Sequence, residues 1–337
     1  MIAGNVTVVG AGAIGGFVAA RLASAGIEVT VCDRNREHVE AIRRSGLAIT
    51  GAVRMHQPLD AVLPEELEAD LGTVLLAVKT VATAPALATI GPRLRPDGCV
   101  VSLQNGLQVY EIARALGAGR TVGGFLTFGG HYVRPGEVAY GGSGSFRIGE
   151  LDGRLTSRVQ DLVALLSTAH PAEQTANLLG FLWAKTAILA FYFASALADL
   201  EVQDLIGSRR HRRALAGVVG EVAQVARAEG IQLEVVDGFD PEAFAAGDEA
   251  RIEASWEAQL RYWDGHTSRR TGIWRDLALH HRETEVGGIL VPVVERARER
   301  GVAVPLLQRT VEMVRAAERG ERGLGPANLE ELAAATR

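Results

Sequence analysis

At 337 residues the chain is longer than a single hydrophobic core usually organises, so two domains are expected. Hydrophobic residues at 47% and charged residues at 22% exclude wholesale disorder. Lys+Arg 35 against Asp+Glu 40 leaves a net charge of -5, which excludes the strongly basic footprint of a nucleic-acid binder.

In chain order, Asn5 to Val9 is a short β-branched run ending at Gly10 and reads as a buried strand. Ala13 to Ala25 fits a helix closed by Gly26. A second strand follows at Glu28 to Cys32, then a helix from Arg36 to Ser45 with Gly46 as terminator. Val74 to Val78 and Val100 to Leu103 read as third and fourth strands, with a helix from Ala84 to Leu94 between them. Strands alternating with helices imply a parallel, doubly wound sheet. From Gly123 to Gly149 the composition shifts to Gly, Thr, Tyr, Val and Phe with a Pro135-Gly136 turn, so antiparallel hairpin strands are expected on the sheet edge.

Beyond Glu173 the chain becomes helix-rich: Leu178 to Asp199, Arg210 to Glu229, Pro241 to Ala246, Ala254 to Tyr262, Val286 to Arg300 and Pro305 to Glu318. The fold class is therefore α/β, an N-terminal Rossmann sheet over residues 1–174 and an all-helical domain over 175–337. Cys32 and Cys99 lie far apart in apolar surroundings, so neither a disulfide nor a metal site is expected, and a reducing cytoplasm is the natural compartment. No signal peptide is expected, and the longest apolar run, Ala187 to Ala198, is too short to span a bilayer. The arginines at 209–213 and 296–300 read as solvated helix faces, so neither nucleic acid nor membrane is an expected partner.

The most informative segment is Gly10-Ala11-Gly12-Ala13-Ile14-Gly15, after a strand and opening a helix. Gly10 permits the tight turn, Gly12 lets backbone approach a pyrophosphate, and Gly15 allows helix to pack on strand. The first amides of the helix, at Ala13 and Ile14, add free N–H groups and partial positive charge. About twenty residues on stands Asp33, placed to accept hydrogen bonds from the adenosine ribose. Its charge favours NAD, whereas Arg34 beside it would pair with a 2′-phosphate and favour NADP. The acid holds the strand-end position, so NAD is the expected cofactor and NADP the alternative.

Four further segments carry a resemblance: Ala77-Val78-Lys79-Thr80, Leu103-Gln104-Asn105-Gly106, Leu182-Trp183-Ala184-Lys185 and Glu283-Thr284-Glu285-Val286. In this order and spacing the chain resembles the ketopantoate reductase family, with its related D-2-hydroxyacid (D-mandelate-type) dehydrogenases, over nearly its whole length. The resemblance implies a Rossmann domain followed by a helical domain, and a homodimer. It makes Lys185 the general acid/base that hydrogen-bonds the substrate carbonyl, with Glu285 orienting substrate or lysine and Glu283 its competitor if the register slips. Asn105 would lie near the nicotinamide ribose and the lysine, Lys79 near the cofactor, and Gly106 would let the chain approach it.

Where the pantoate-forming members carry two asparagines after the lysine, this sequence has Leu189 and Phe193. Positions 185, 189 and 193 fall on roughly one helical face, so an apolar substrate pocket is expected there. A serine before the late glutamate is replaced, with Thr271 and Gly272 nearby, and Trp274 is either pocket or core. His266, His280 and His281 offer no metal-ligand spacing. The expected function is NAD(P)-dependent reduction of a 2-oxo acid or related ketone with an apolar substituent, or oxidation of the matching hydroxy compound. The alternatives are an NADPH-dependent ketopantoate reductase, a non-catalytic dinucleotide sensor, and more remotely an imine or amino-acid dehydrogenase.

Overall fold

The computed structural model describes residues 5–264 and 269–334. The chain divides into two compact units, Met1–Leu178 and Leu179–Arg337.

In the first unit the elements run β1 (Val6–Val9), α1 (Ala13–Ser24), β2 (Val29–Cys32), α2 (Arg36–Ser45), β3 (Leu47–Gly51), β4 (Met55–Gln57), β5 (Asp60–Val62), β6 (Leu71–Leu76), α3 (Thr83–Ile90), β7 (Leu94–Ser102), α4 (Gln108–Leu116), β8 (Thr121–Leu126), β9 (Gly130–Arg134), β10 (Glu137–Tyr140), β11 (Phe146–Glu150), α5 (Ser157–Ser167) and β12 (Ala172–Gln174). An eight-stranded sheet has the order β12-β11-β8-β7-β6-β1-β2-β5. Its stretch from β8 to β5 is parallel, and β11 runs antiparallel to β8. Strand β1 is buried on both faces: Val6 and Val8 join a core with α1 and α5, and Val9 joins the opposite core with α3 and α4. Two apolar faces need helices on both sides, which is the doubly wound arrangement read from the sequence. Local signals set the helix ends: Asn35 Oδ1 accepts from His38 N at 3.2 Å to start α2, and Gly46 at φ 75° ends it.

The hairpin expected on the sheet edge is placed differently. Strand β8 is fully buried inside the main sheet, while β9 and β10 belong to a separate four-stranded sheet, β4-β3-β10-β9. The β3–β4 hairpin supplies the edge to which β10 adds in parallel. A side chain on Gly51 of β3 would lie 2.4 Å from the Tyr140 carbonyl oxygen, so glycine is what permits this close pairing. The second sheet packs on α1, where Phe17 stacks on Tyr140 with ring centroids 4.0 Å apart.

The second unit follows as α6 (Leu178–Ala196, its first residue still in the first unit), α7 (Val202–Gly207), α8 (Arg209–Ala228), α9 (Pro241–Ala246), α10 (Glu249–Asp264), α11 (Gly272–Ala278), α12 (Val286–Ile289), α13 (Val291–Arg300), α14 (Pro305–Glu318) and α15 (Ala327–Ala334). Among the described residues its only β pairing is an isolated bridge between Val236 and Phe239. The expected helix from Val286 to Arg300 is two, α12 and α13, meeting at Leu290. Pro292 lacks the N–H that would continue the helical ladder. Helix α6 is long and apolar enough to cross a membrane by length and composition, yet 72% of its most apolar window is buried in protein. It is the core helix here: Phe191 meets Trp256 of α10 edge-on at 5.4 Å, and Trp256 in turn contacts Phe239 and Phe244.

Candidate active site

The strand order of the main sheet reverses between β1 and β6, and open α/β sheets bind ligands beyond the strand ends at such a point. The glycine-rich turn stands there. Gly10 has φ 97°, and a Cβ on it would lie 2.7 Å from Val78 N, so the ends of β1 and β6 close together only around a glycine. A Cβ on Gly15 would lie 2.0 Å from the Gly10 carbonyl oxygen and 2.9 Å from the Ala77 methyl. Gly12 differs, since its Cβ position meets nothing within 4 Å. It is the N-cap of α1 and has no side-chain cap, so no cap side chain takes up the amides that open the helix at Ala13 and Ile14.

Asp33 directly follows β2 and is partly exposed. Its Oδ2 accepts from Ala11 N and its Oδ1 from Asn35 N, both at 2.8 Å. Buried His38 completes the clamp: its Nε2 lies 2.9 Å from the Ala11 carbonyl oxygen, and its Nδ1 accepts from Gly136 N at 2.9 Å. An amide can only donate, so the imidazole proton sits on Nε2 and is given to Ala11. The Ala11 peptide is thus held at both ends, by Asp33 and by His38. Arg34 is exposed, and among the described residues no ion pair holds its guanidinium.

Lys79 is exposed just after β6 and precedes a short 3₁₀ turn, Thr80–Ala82. Asn105 is partly exposed after β7, next to Gly106 at φ 75°. Its neighbour Gln104 is buried and binds the two loops together, donating to Val78 O at 3.0 Å and Thr83 Oγ1 at 2.8 Å.

In the second unit, Lys185 is the only charged residue of α6. From Leu182 to Ala196 every residue of that helix is buried except Lys185, Leu189 and Tyr192, and Phe181 extends the same stripe one turn earlier. Seven residues return a helix to within about 20° of the starting direction, whereas eight overshoot by about 80°. Tyr192 therefore shares the face of Lys185 and Leu189, and Phe193 is turned inward at 1% exposure. Burial pushes the Lys185 ammonium down to about 8, against the opposing pull of Asp237 and Glu285. Glu285 is the N-cap residue of α12 and is partly exposed, while Glu283 is exposed. The turn is fixed by Glu318 of α14, whose Oε1 accepts from Thr284 N at 2.7 Å and from its hydroxyl at 2.6 Å.

Thr271 is buried and caps α11, accepting from Trp274 N at 3.1 Å. Trp274 is partly exposed, with its indole N–H on Asp199 at 2.8 Å and the Arg270 guanidinium 4.3 Å above its ring. His280 and His281 are exposed, and His266 lies outside the described residues. Among the described residues no group of His, Cys, Asp and Glu is placed to hold a metal.

Three anchors escaped sequence reasoning: His38, Glu318 and Asp237. One signal was available for the lysines. Of 35 basic residues only two, Lys79 and Lys185, are lysines. A chain that otherwise uses arginine keeps its two lysines in the segments next to the glycine-rich turn and on the open stripe of α6. Arginine cannot give up its proton near neutral pH, whereas lysine can.

A doubly wound sheet with a glycine-rich turn at its switch point, followed by a helical unit carrying a desolvated lysine, is the architecture of a dinucleotide-dependent oxidoreductase. The family described as ketopantoate reductase PanE/ApbA matches residues 6–153, and its C-terminal domain matches residues 177–318. The chain belongs to this family, and is a nicotinamide-dependent oxidoreductase acting on a CH–OH/C=O pair. The 2-dehydropantoate 2-reductase of Halobacterium salinarum is 31% identical over 322 residues, which span 94% of this chain and 99% of that protein. A PanE/ApbA family ketopantoate reductase from Ralstonia eutropha JMP134 superposes with a TM-score of 0.79 at 27% identity, covering 94% of this chain and 99% of the other. A D-mandelate dehydrogenase in complex with NADH and anilino(oxo)acetate shares the fold, with a TM-score of 0.78 at 24% identity and the same coverage.

Proposed function

We propose that this chain is an NAD(H)-dependent reductase of a 2-oxo acid or related ketone with an apolar substituent, or the dehydrogenase of the matching hydroxy compound. The observation that carries the reading is Lys185, the lone cation on the open stripe of an otherwise apolar helix. Bound nicotinamide supplies the hydride. Gly10, Gly12, Ala13, Ile14 and Gly15 hold its pyrophosphate, Asp33 accepts from the adenosine ribose, and Lys79 and Asn105 approach it from the ends of β6 and β7. Lys185 hydrogen-bonds the substrate carbonyl and donates its proton to that oxygen. Its lowered proton affinity supports the role, because a general acid works best when its pKa lies near the working pH. Glu285 orients the lysine or the substrate.

Leu189 supports the apolar substituent. It stands one turn from Lys185 on the open stripe, and an apolar side chain leaves a substrate hydroxyl without a partner there. Phe193 is packed inside the helical unit, and Tyr192 takes its place in the proposal. For the cofactor, the Asp33 carboxylate repels a 2′-phosphate. A second reading, NADPH-dependent reduction of ketopantoate, is favoured by the exposed guanidinium of Arg34 and by the activity of the relatives. Membership of this enzyme family displaces the reading as a non-catalytic sensor. A homodimer in the reducing cytoplasm completes the proposal, in keeping with two buried free thiols.

The test is a panel of 2-oxo acids assayed with NADH and NADPH. The proposal expects the highest kcat/KM with NADH and an aryl- or alkyl-substituted acid. Ketopantoate turnover matching the best of these, with NADPH preferred, overturns it in favour of the second reading.

A further inference from the structure

The loop that joins α8 to α9 lies against both α6 and α10. It is fastened at several points. Glu234 N donates to the Gly180 carbonyl at 3.4 Å, at the start of α6. Asp240 N donates to Ser255 Oγ of α10 at 3.0 Å. Val236 and Phe239 exchange both backbone hydrogen bonds, at 3.0 and 2.8 Å, and close a two-residue turn over Asp237 and Gly238. Asp237 adopts φ 50° and Gly238 φ 81°, the left-handed pair that such tight turns demand. A Cβ on Gly238 would lie 3.1 Å from the Ala258 methyl, so the turn sits directly against α10. The next residue of α10, Gln259, accepts from the Tyr192 hydroxyl at 2.8 Å. The two helices are thus tied to each other, and both are tied to the turn that carries Asp237.

The carboxylate is exposed at the tip, and its field reaches groups on both helices: Lys185 and Tyr192 on α6, and Tyr262 on α10. Glu285 is the other acid acting on Lys185. A lysine desolvated on an apolar helix tends to lose its proton, and a nearby carboxylate opposes that loss. Asp is also suited to the backbone, since Asp and Asn enter the left-handed region more readily than other side chains.

We propose that Asp237 is a positioning residue for Lys185, a second carboxylate that acts with Glu285 to keep the ammonium charged and oriented on the open stripe of α6. The inference rests on the reading of Lys185 as the proton donor, but its test does not depend on turnover. Trace labelling with acetic anhydride across pH, followed by peptide mass spectrometry, reports the free-amine fraction of each lysine. Lys79 serves as the internal reference, since the chain has no third lysine. In the wild type, labelling of Lys185 rises through a midpoint near pH 8. Asp237→Asn and Asp237→Gly both suit the left-handed turn and both remove the charge. Each lowers the Lys185 midpoint and speeds its labelling at pH 7 several-fold, up to about tenfold, with Lys79 unchanged. The alkaline limb of kcat/KM for carbonyl reduction moves down with it, while Asp237→Glu retains the wild-type position. An unmoved Lys185 midpoint in both charge-removing variants overturns the proposal. Failure of the proton-donor reading shows elsewhere, as undiminished turnover in Lys185→Ala.

Discussion

Gly15 and Gly10 are in such close contact that a methyl group on Gly15 would lie 2.0 Å from the Gly10 carbonyl oxygen, whereas a methyl on Gly12 would meet no protein atom within 4 Å. Both glycines belong to one fingerprint, but they answer to different demands. Gly15 is required by the packing of α1 on β1. Gly12 is required by nothing in the protein itself.

That contrast predicts opposite outcomes for two identical substitutions. Gly12→Ala folds with an unchanged melting temperature and binds NADH at least about tenfold more weakly, because the new methyl occupies the pyrophosphate's approach. Gly15→Ala destabilises the first unit, since backbone oxygen cannot move aside as a flexible side chain would. Thermal melts and NADH fluorescence titrations of the two variants check this. Normal cofactor affinity in Gly12→Ala contradicts the assignment of the cradle.

Much of this half was legible in the sequence for a physical reason. The helix Arg36–Ser45 is bounded by its own signals, an Asn35 cap and a Gly46 stop, so its limits follow from local chemistry. The placement of strand β10, Glu137–Tyr140, was not, because its partner β3 lies far away in the chain and short strands carry weak periodic signals. On α6 the lysine stood out, but counting by four placed Phe193 on its face, where the 3.6-residue repeat places Tyr192. Asp237 and Glu318 act on Lys185 and on the Thr284 turn from distant parts of the chain, and no local pattern announces them.

Glu221 provides a test in the helical core. It is buried on α8 and accepts from the first amides of α14, Leu306 N at 3.0 Å and Leu307 N at 2.7 Å. Burial pushes its carboxyl up to about 7 despite these two bonds. The folded state therefore binds the proton more tightly than the unfolded chain, whose glutamate titrates near 4.5. Stability contributed by this proton is full below that value and is lost as pH rises from about 4.5 to 7. Denaturant unfolding of wild type and Glu221→Gln across pH 4.5–8 should show this decline in the wild type alone, at up to about 1.4 kcal/mol per pH unit. Parallel curves for the two proteins contradict it.

Lys185 predicts a pH profile for turnover. The lysine must carry its proton to protonate a carbonyl oxygen, and burial brings its pKa to about 8. Carbonyl reduction therefore falls as pH rises through about 8, and oxidation of the hydroxy compound rises over the same range. Initial rates in both directions at saturating substrate check the sign. A reduction rate unchanged up to pH 10 contradicts it.

The most direct measurement of the central claim is the kinetics and cofactor affinity of Lys185→Ala. Removing a positioned general acid typically costs on the order of 10²–10⁴ in rate. Lys185 belongs to the helical unit, whereas the pyrophosphate cradle and Asp33 belong to the Rossmann unit. The account predicts a fall of kcat within that range for the folded variant, with the Kd for NADH unchanged. A folded Lys185→Ala enzyme that retains near-wild-type kcat would contradict the account.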